Sequence, residues 1–119
     1  MTQEEWLPIP GFEGWYDVSS FGQVRSWRNK GPAKKGIRRA SPRLLKFSLS
    51  LGQYQKVALV HPVDGRQHTH TMGRLVLMTF DGPPPHLDDE CDHLDRNPAH
   101  NHKNNLTWKT REQNKAKGY

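Results

Sequence analysis

The sequence predicts an α+β fold, a small N-terminal antiparallel β region followed by a strand–loop–strand–helix unit. Three observations carry that expectation. Residues 54–60 alternate apolar and polar side chains, the period of a half-buried strand. Between 74 and 80, Leu75, Val76, Met78 and Thr79 recur at helical spacing. From 90 to 114 the chain reads as a strand, a loop, a second strand around Asn105-Leu106-Thr107-Trp108 and a terminal helix. Thr110-Arg111-Glu112-Gln113 has the form of the capping box that would open that helix.

In chain order, Trp6, Pro8, Pro10-Gly11 and Glu13-Gly14 punctuate a turn-rich start. Residues 15–19 and 22–27 read as two short strands joined near Phe21-Gly22. Residues 29–41 mix Gly31, Pro32 and Gly36 with cations and are expected to form a loop or an arm ordered on binding. Strands over 44–49 and 54–60 flank a turn at Leu51-Gly52-Gln53, and 67–72 forms a third strand after the Asp64-Gly65 turn. The helix over 74–80 packs on that sheet. Pro83-Pro84-Pro85 then stiffen a connector, 81–89, that delivers the chain to its last unit.

A chain of 119 residues is one domain or two very small lobes. Only 33% of it is apolar, so a modest core divided into small clusters is expected. Cys91 is the single cysteine, which excludes an intramolecular disulfide and any multi-cysteine zinc site. No apolar run is long enough to span a membrane and no signal-peptide pattern stands at the start, so a cytoplasmic protein is expected.

A net charge of +6 favours a polyanionic partner. Half of the 18 cationic side chains, Arg25, Arg28, Lys30, Lys34, Lys35, Arg38, Arg39, Arg43 and Lys46, lie in one stretch without an acid. They are the candidate phosphate contacts, because counterion release makes such runs bind nucleic acid of any sequence. The alternative is a solvated, flexible loop. Asp88, Asp89, Glu90, Asp92 and Asp95 concentrate the opposite charge further on. An acidic pocket beside a basic surface suits a nuclease, which holds a cation in one part and phosphates in another.

Within the acidic segment, Asp92 offers a hard oxygen ligand for Mg²⁺, Mn²⁺ or another divalent cation. His93 is the natural general base, since an imidazole with an ordinary pKa of about 6.5 takes a proton from water near neutrality. In an extended strand, adjacent residues point to opposite faces, so a bend or loop is expected to bring Asp92 and His93 onto one phosphate. Asn114 falls in the first turns of the terminal helix, where its amide oxygen would complete a one-metal phosphodiesterase site.

These residues resemble the HNH endonucleases of the ββα-metal fold, in the subgroup of phage and intron homing enzymes. The likeness rests on Asp92-His93-Leu94-Asp95-Arg96-Asn97, on Asn104-Asn105-Leu106-Thr107-Trp108 and on Gln113-Asn114. Counting from His93, Asn105 lies 12 residues on and Asn114 lies 21 on, the family's spacing. The resemblance implies that His93 is the base, that Asp92 and Asn114 bind the metal, and that Asn105 braces the loop and helps orient His93. It departs at Arg96, where the family has glycine, at His100 and His102, and at Gly73, where a histidine usually precedes Arg74-Leu75-Val76. A second stretch, from Glu4 to Ser19 with Gly22-Gln23-Val24-Arg25-Ser26, is similar to a small modular motif that accompanies such nucleases.

The two resemblances imply three segments: 1–28 as the modular motif, 29–65 as a basic loop and strands contacting DNA, and 66–119 as the nuclease. They imply a divalent-metal-dependent DNA endonuclease of the phage or mobile-element type, nicking one strand and leaving 5′-phosphate and 3′-hydroxyl ends. Monomer and homodimer both stay open. Arg96 and Lys109 flank the site and suit a phosphate clamp. The chain ends soon after Asn114, so relaxed sequence selectivity is expected. Two other readings stand beside this one: a non-catalytic DNA-binding module derived from a nuclease, and a structural zinc protein using Cys91, His93, His100 and His102. The remaining histidines read as surface or turn residues, and the four tryptophans as core anchors, Trp108 packing the second strand against the last helix.

Overall fold

The computed structural model describes residues 3–29 and 36–116. Its strands form three antiparallel sheets, and the fold is α+β as expected. The first sheet runs in the order β1 (Trp6–Pro8), β2 (Tyr16–Ser19), β3 (Val24–Arg28) and β4 (Arg38–Leu44). The second holds β5 (Ser48–Leu49), β6 (Gln55–Val60) and β7 (Gln67–Thr71), followed directly by α1 (Met72–Phe80). The last unit pairs β8 (Glu90–His93) with β9 (Leu106–Lys109) and ends in α2 (Arg111–Ala116).

Sequence logic explains most of these elements. In α1, Met72, Leu75 and Val76 lie at the three- and four-residue spacing that makes one helix face, and all are buried. In α2 the capping box forms as read: Gln113 N donates to Thr110 Oγ1 at 3.1 Å and Thr110 N donates to Gln113 Oε1 at 2.8 Å. The β6–β7 hairpin pairs Val57 with His70 and Leu59 with His68, and Val57 and Leu59 are buried in one cluster with α1 and the first sheet.

Three expectations require correction. The start is not only turns, because Trp6–Pro8 pairs with β2 as an edge strand, where a proline costs no ladder hydrogen bond. The expected loop over 29–41 contains the first half of β4, since pairing with β3 overrides a composition that reads as loop. The expected strand over 44–49 is reduced to Ser48–Leu49, because the chain leaves the first sheet at Leu44 and joins the second only there.

The core is one cluster, not several, among the described residues. Ile9, Phe12, Tyr16, Val18 and Val24 from the first sheet meet Val57 and Leu59 from the second, Met72, Leu75, Val76 and Leu77 from α1, and Leu106 from β9. The Tyr16 hydroxyl accepts from Val60 N at 3.0 Å, tying the two sheets together. Trp108 differs from expectation: its Nε1 donates to Gly82 O at 3.1 Å and the Arg74 guanidinium lies 4.9 Å from its ring centre. It therefore packs β9 toward α1 and the connector. No helix among the described residues is long and apolar enough to cross a membrane.

Candidate metal centre and nucleic-acid interface

β8 carries the chemistry. Asp92 and His93 are buried there, at 4% and 7% exposure, although both are polar. Burying such groups costs free energy unless partners compensate, so their position is a built feature and not a surface accident. They are consecutive strand residues, and the expected loop lies between the strands, over residues 94–105, not between the two side chains. Among the described residues β8 is paired on one side only, so residues of alternating direction can border one space. Both line a cavity of about 830 Å³, together with Glu90, Asn101, Asn114 and Arg96.

Asn114 occupies the position the capping box dictates, in the first turns of α2. Its Nδ2 donates to Glu90 Oε1 at 2.9 Å, while its Oδ1 is buried without a partner. A buried amide oxygen lacking a donor costs roughly 1–3 kcal/mol, and a divalent cation would satisfy it. Glu90 and Asp92 are two apart on the same strand and share a face. The Glu90 contact therefore brings Asn114 to the side of β8 that presents Asp92. The donor set, a carboxylate and an amide oxygen with room for water and phosphate oxygens, fits a hard cation such as Mg²⁺ or Mn²⁺.

Asn105 is buried and braces the loop between the strands. Its Nδ2 donates to Asp95 Oδ1 at 2.9 Å and to His100 O at 2.8 Å, and its Oδ1 accepts from Asp95 N at 3.2 Å. His100 Nδ1 lies 2.6 Å from Asp95 Oδ2, and these contacts, led by His100, hold the Asp95 carboxyl down at about 2. The ring of His93 is met by a different residue: Nε2 lies 2.8 Å from Asn101 Oδ1. Asn101 was not singled out by the sequence, where it is one of several asparagines in a polar loop. Glu90 was read only as local negative charge.

The zinc alternative loses its ligands. His100 is committed to Asp95, His102 Nδ1 accepts from Asn104 N at 3.1 Å, and its ring stacks on Phe21. Burial pushes the Cys91 thiol up to about 12, reinforced by neighbouring Asp92 and opposed by Arg74. Among the described residues no three histidine, cysteine or acidic side chains are grouped to hold a metal.

The basic residues fall in two places. Arg28, Arg38, Arg39 and Arg43 lie on β3 and β4, with exposed Lys46 just beyond, whereas Arg96 lines the cavity. Lys30, Lys34 and Lys35 lie outside the described residues. Arg25 is held inside the sheet: its Nε is 2.8 Å from Asp17 Oδ2, and its guanidinium lies 4.4 Å from the Trp6 ring centre. Its charge is thereby neutralised within the fold. Arg28 pairs directly with Arg38 across the strands, an arrangement of like charges that costs stability and that a polyanion would relieve. Arg74 and Arg111, missed as site residues in the sequence, border the cavity with Arg96, and Lys109 does not.

Comparison with known proteins adds a direction to this geometry. Residues 4–60 match the NUMOD4 motif. Across nearly the whole chain the fold is similar to that of a solved structure described as DNA binding and cleavage by the HNH homing endonuclease I-HmuI. The likeness is to a homing endonuclease. The TM-score is 0.74 at 31% sequence identity, covering 95% of this chain and 56% of that one, so the chain spans little more than half of its relative. No curated protein matches the sequence.

Proposed function

We propose that the protein is a divalent-metal-dependent DNA endonuclease of the HNH kind, belonging to a phage or mobile element and acting in the cytoplasm of the cell that makes it. The observation that carries this reading is the buried, unpartnered Oδ1 of Asn114 on the cavity that Asp92 and His93 share. The similarity to I-HmuI and the NUMOD4 match support it, as do the arginines carried by β3 and β4.

In this reading Asp92 and Asn114 hold Mg²⁺ or Mn²⁺. When bound, the ion supplies positive charge for the pentacovalent transition state and the departing oxygen. His93 takes a proton from water as the water oxygen attacks phosphorus; the bond to the 3′-oxygen breaks and the departing oxygen takes a proton from a solvent water, leaving 5′-phosphate and 3′-hydroxyl ends. Asn105 keeps the loop closed around the base. Arg96, with Arg74 and Arg111, suits a scissile or neighbouring phosphate, and Arg28, Arg38, Arg39, Arg43 and Lys46 the flanking backbone. Lys30, Lys34 and Lys35 would extend that basic surface. A single such site cuts one strand, so a monomer nicks.

Supercoiled plasmid incubated with the protein and Mg²⁺ or Mn²⁺ should convert to open circles, and EDTA should stop the conversion. Intact plasmid under all conditions, with DNA still bound, would move the function to a non-catalytic DNA-binding module.

A further inference from the structure

Asn101 is 3% exposed, and four parts of the chain converge on it. Its Oδ1 lies 2.8 Å from His93 Nε2 and its Nδ2 donates to Gln55 Oε1 on β6 at 3.2 Å. Gly73, at the start of α1, leaves room for this contact: a Cβ there would lie 3.2 Å from Asn101 Oδ1, 3.5 Å from His93 Nε2 and 2.8 Å from Cys91 Sγ. Gly22 closes the other side, where a Cβ would stand 2.7 Å from Asn101 Cβ and 2.9 Å from its carbonyl oxygen. The next residues are anchored as well, since Lys103 N donates to Ser20 O at 2.8 Å and Lys103 Nζ reaches Glu5 Oε1 at 3.2 Å.

We propose that Asn101 is the positioning residue that fixes His93 in the neutral tautomer protonated at Nε2, and that the N-terminal half of the chain sets Asn101 through Gln55 and Gly22. An amide oxygen can only accept, so a ring nitrogen facing it must carry the proton. The lone pair is then on Nδ1. As the two amides stand, Asn101 presents Oδ1 to the ring and Nδ2 to Gln55 Oε1. Turning the amide over would put Nδ2 against Nε2 and the ring proton on Nδ1, which removes the base. The tautomer of a histidine is set by the hydrogen bond its other nitrogen makes, and here a side chain bound to the first half of the chain makes it. This inference rests on His93 being the base, but its central measurement does not.

The test is long-range ¹H–¹⁵N correlation on protein labelled with ¹⁵N-histidine, at a pH where His93 is neutral. The wild-type protein should show His93 with Nε2 protonated. Asn101→Leu should give a mixture of tautomers and cut plasmid roughly 10–100-fold more slowly, whereas Asn101→Asp, which keeps the acceptor, should restore the Nε2–H form and much of the rate. A wild-type ring protonated at Nδ1, or one already mixed, overturns the proposal without any variant having to fold. An unchanged tautomer in a folded Asn101→Leu protein overturns it too. If the tautomer behaves as stated but His93→Ala cuts like wild type, the positioning holds and the assignment of the base fails.

Discussion

At the residue scale, Glu90 and Arg96 show how much of the site depends on single side chains. Glu90 accepts from the Asn114 amide, which leaves Asn114 Oδ1 buried without a partner where the proposed metal would bind. Partners that orient a metal ligand are typically worth 10–100-fold in metal affinity. Glu90→Ala should therefore raise the half-saturating Mn²⁺ concentration for cleavage by about that factor, while saturating metal restores most of the rate. An unchanged metal dependence would remove Glu90 from the site. Arg96 keeps a positive φ of 63° where a glycine would adopt it without strain. The sequence exposed that substitution, and the backbone kept the turn despite it. Asp92, His93 and Asn114 stood out in the sequence because ligand and base chemistry restrict residue type, and the structure lines one cavity with all three. Asn101 was not, because its partners Gln55, Gly22 and Gly73 are distant in sequence and an asparagine in a polar loop has many duller uses.

Elements decide whether those side chains meet. The described part of α2 is six residues, a length that does not hold itself together in water, so its capping box and its contacts with Glu90 contribute to its stability. Thr110→Ala should cost about 1 kcal/mol and also lower cleavage, because Asn114 rides on the first turns of that helix; thermal melting and plasmid nicking together would read both. Full activity with a lowered melting point would show that tertiary contacts, not the cap, place Asn114. The cap was visible in the sequence because its two hydrogen bonds join residues three apart. β4 was not visible. Its glycine- and cation-rich approach resembles a loop, and only pairing with β3, a contact between distant segments, makes it a strand. Arg25 was misleading for the same reason: its sequence neighbourhood suggests phosphate, but Asp17 on the adjacent strand takes its charge.

Across the whole molecule, one core and one close approach join the N-terminal sheets to the nuclease-like unit. The approach can be tested with two glycines of the same backbone region. Gly11 (φ +85°) faces open space, whereas Gly22 (φ +89°) faces the Asn101 backbone. Gly11→Ala should cost the strain of a left-handed residue, about 1–2 kcal/mol. Gly22→Ala should cost about 1–3 kcal/mol more and slow cleavage, as read by urea unfolding and nicking rates; equal costs would mean that the two halves merely touch. The motif from Glu4 to Ser26 was legible as a pattern, but its coupling to His93 needed the tertiary structure. The central claim, that His93 removes the proton from the attacking water, is tested most directly by comparing His93→Ala with wild type. Single-turnover plasmid cleavage at saturating Mg²⁺ would be measured beside DNA affinity. A loss of at least 100-fold in cleavage with affinity kept within a few-fold is the expected result. Cleavage at the wild-type rate by a metal-dependent His93→Ala protein would contradict it.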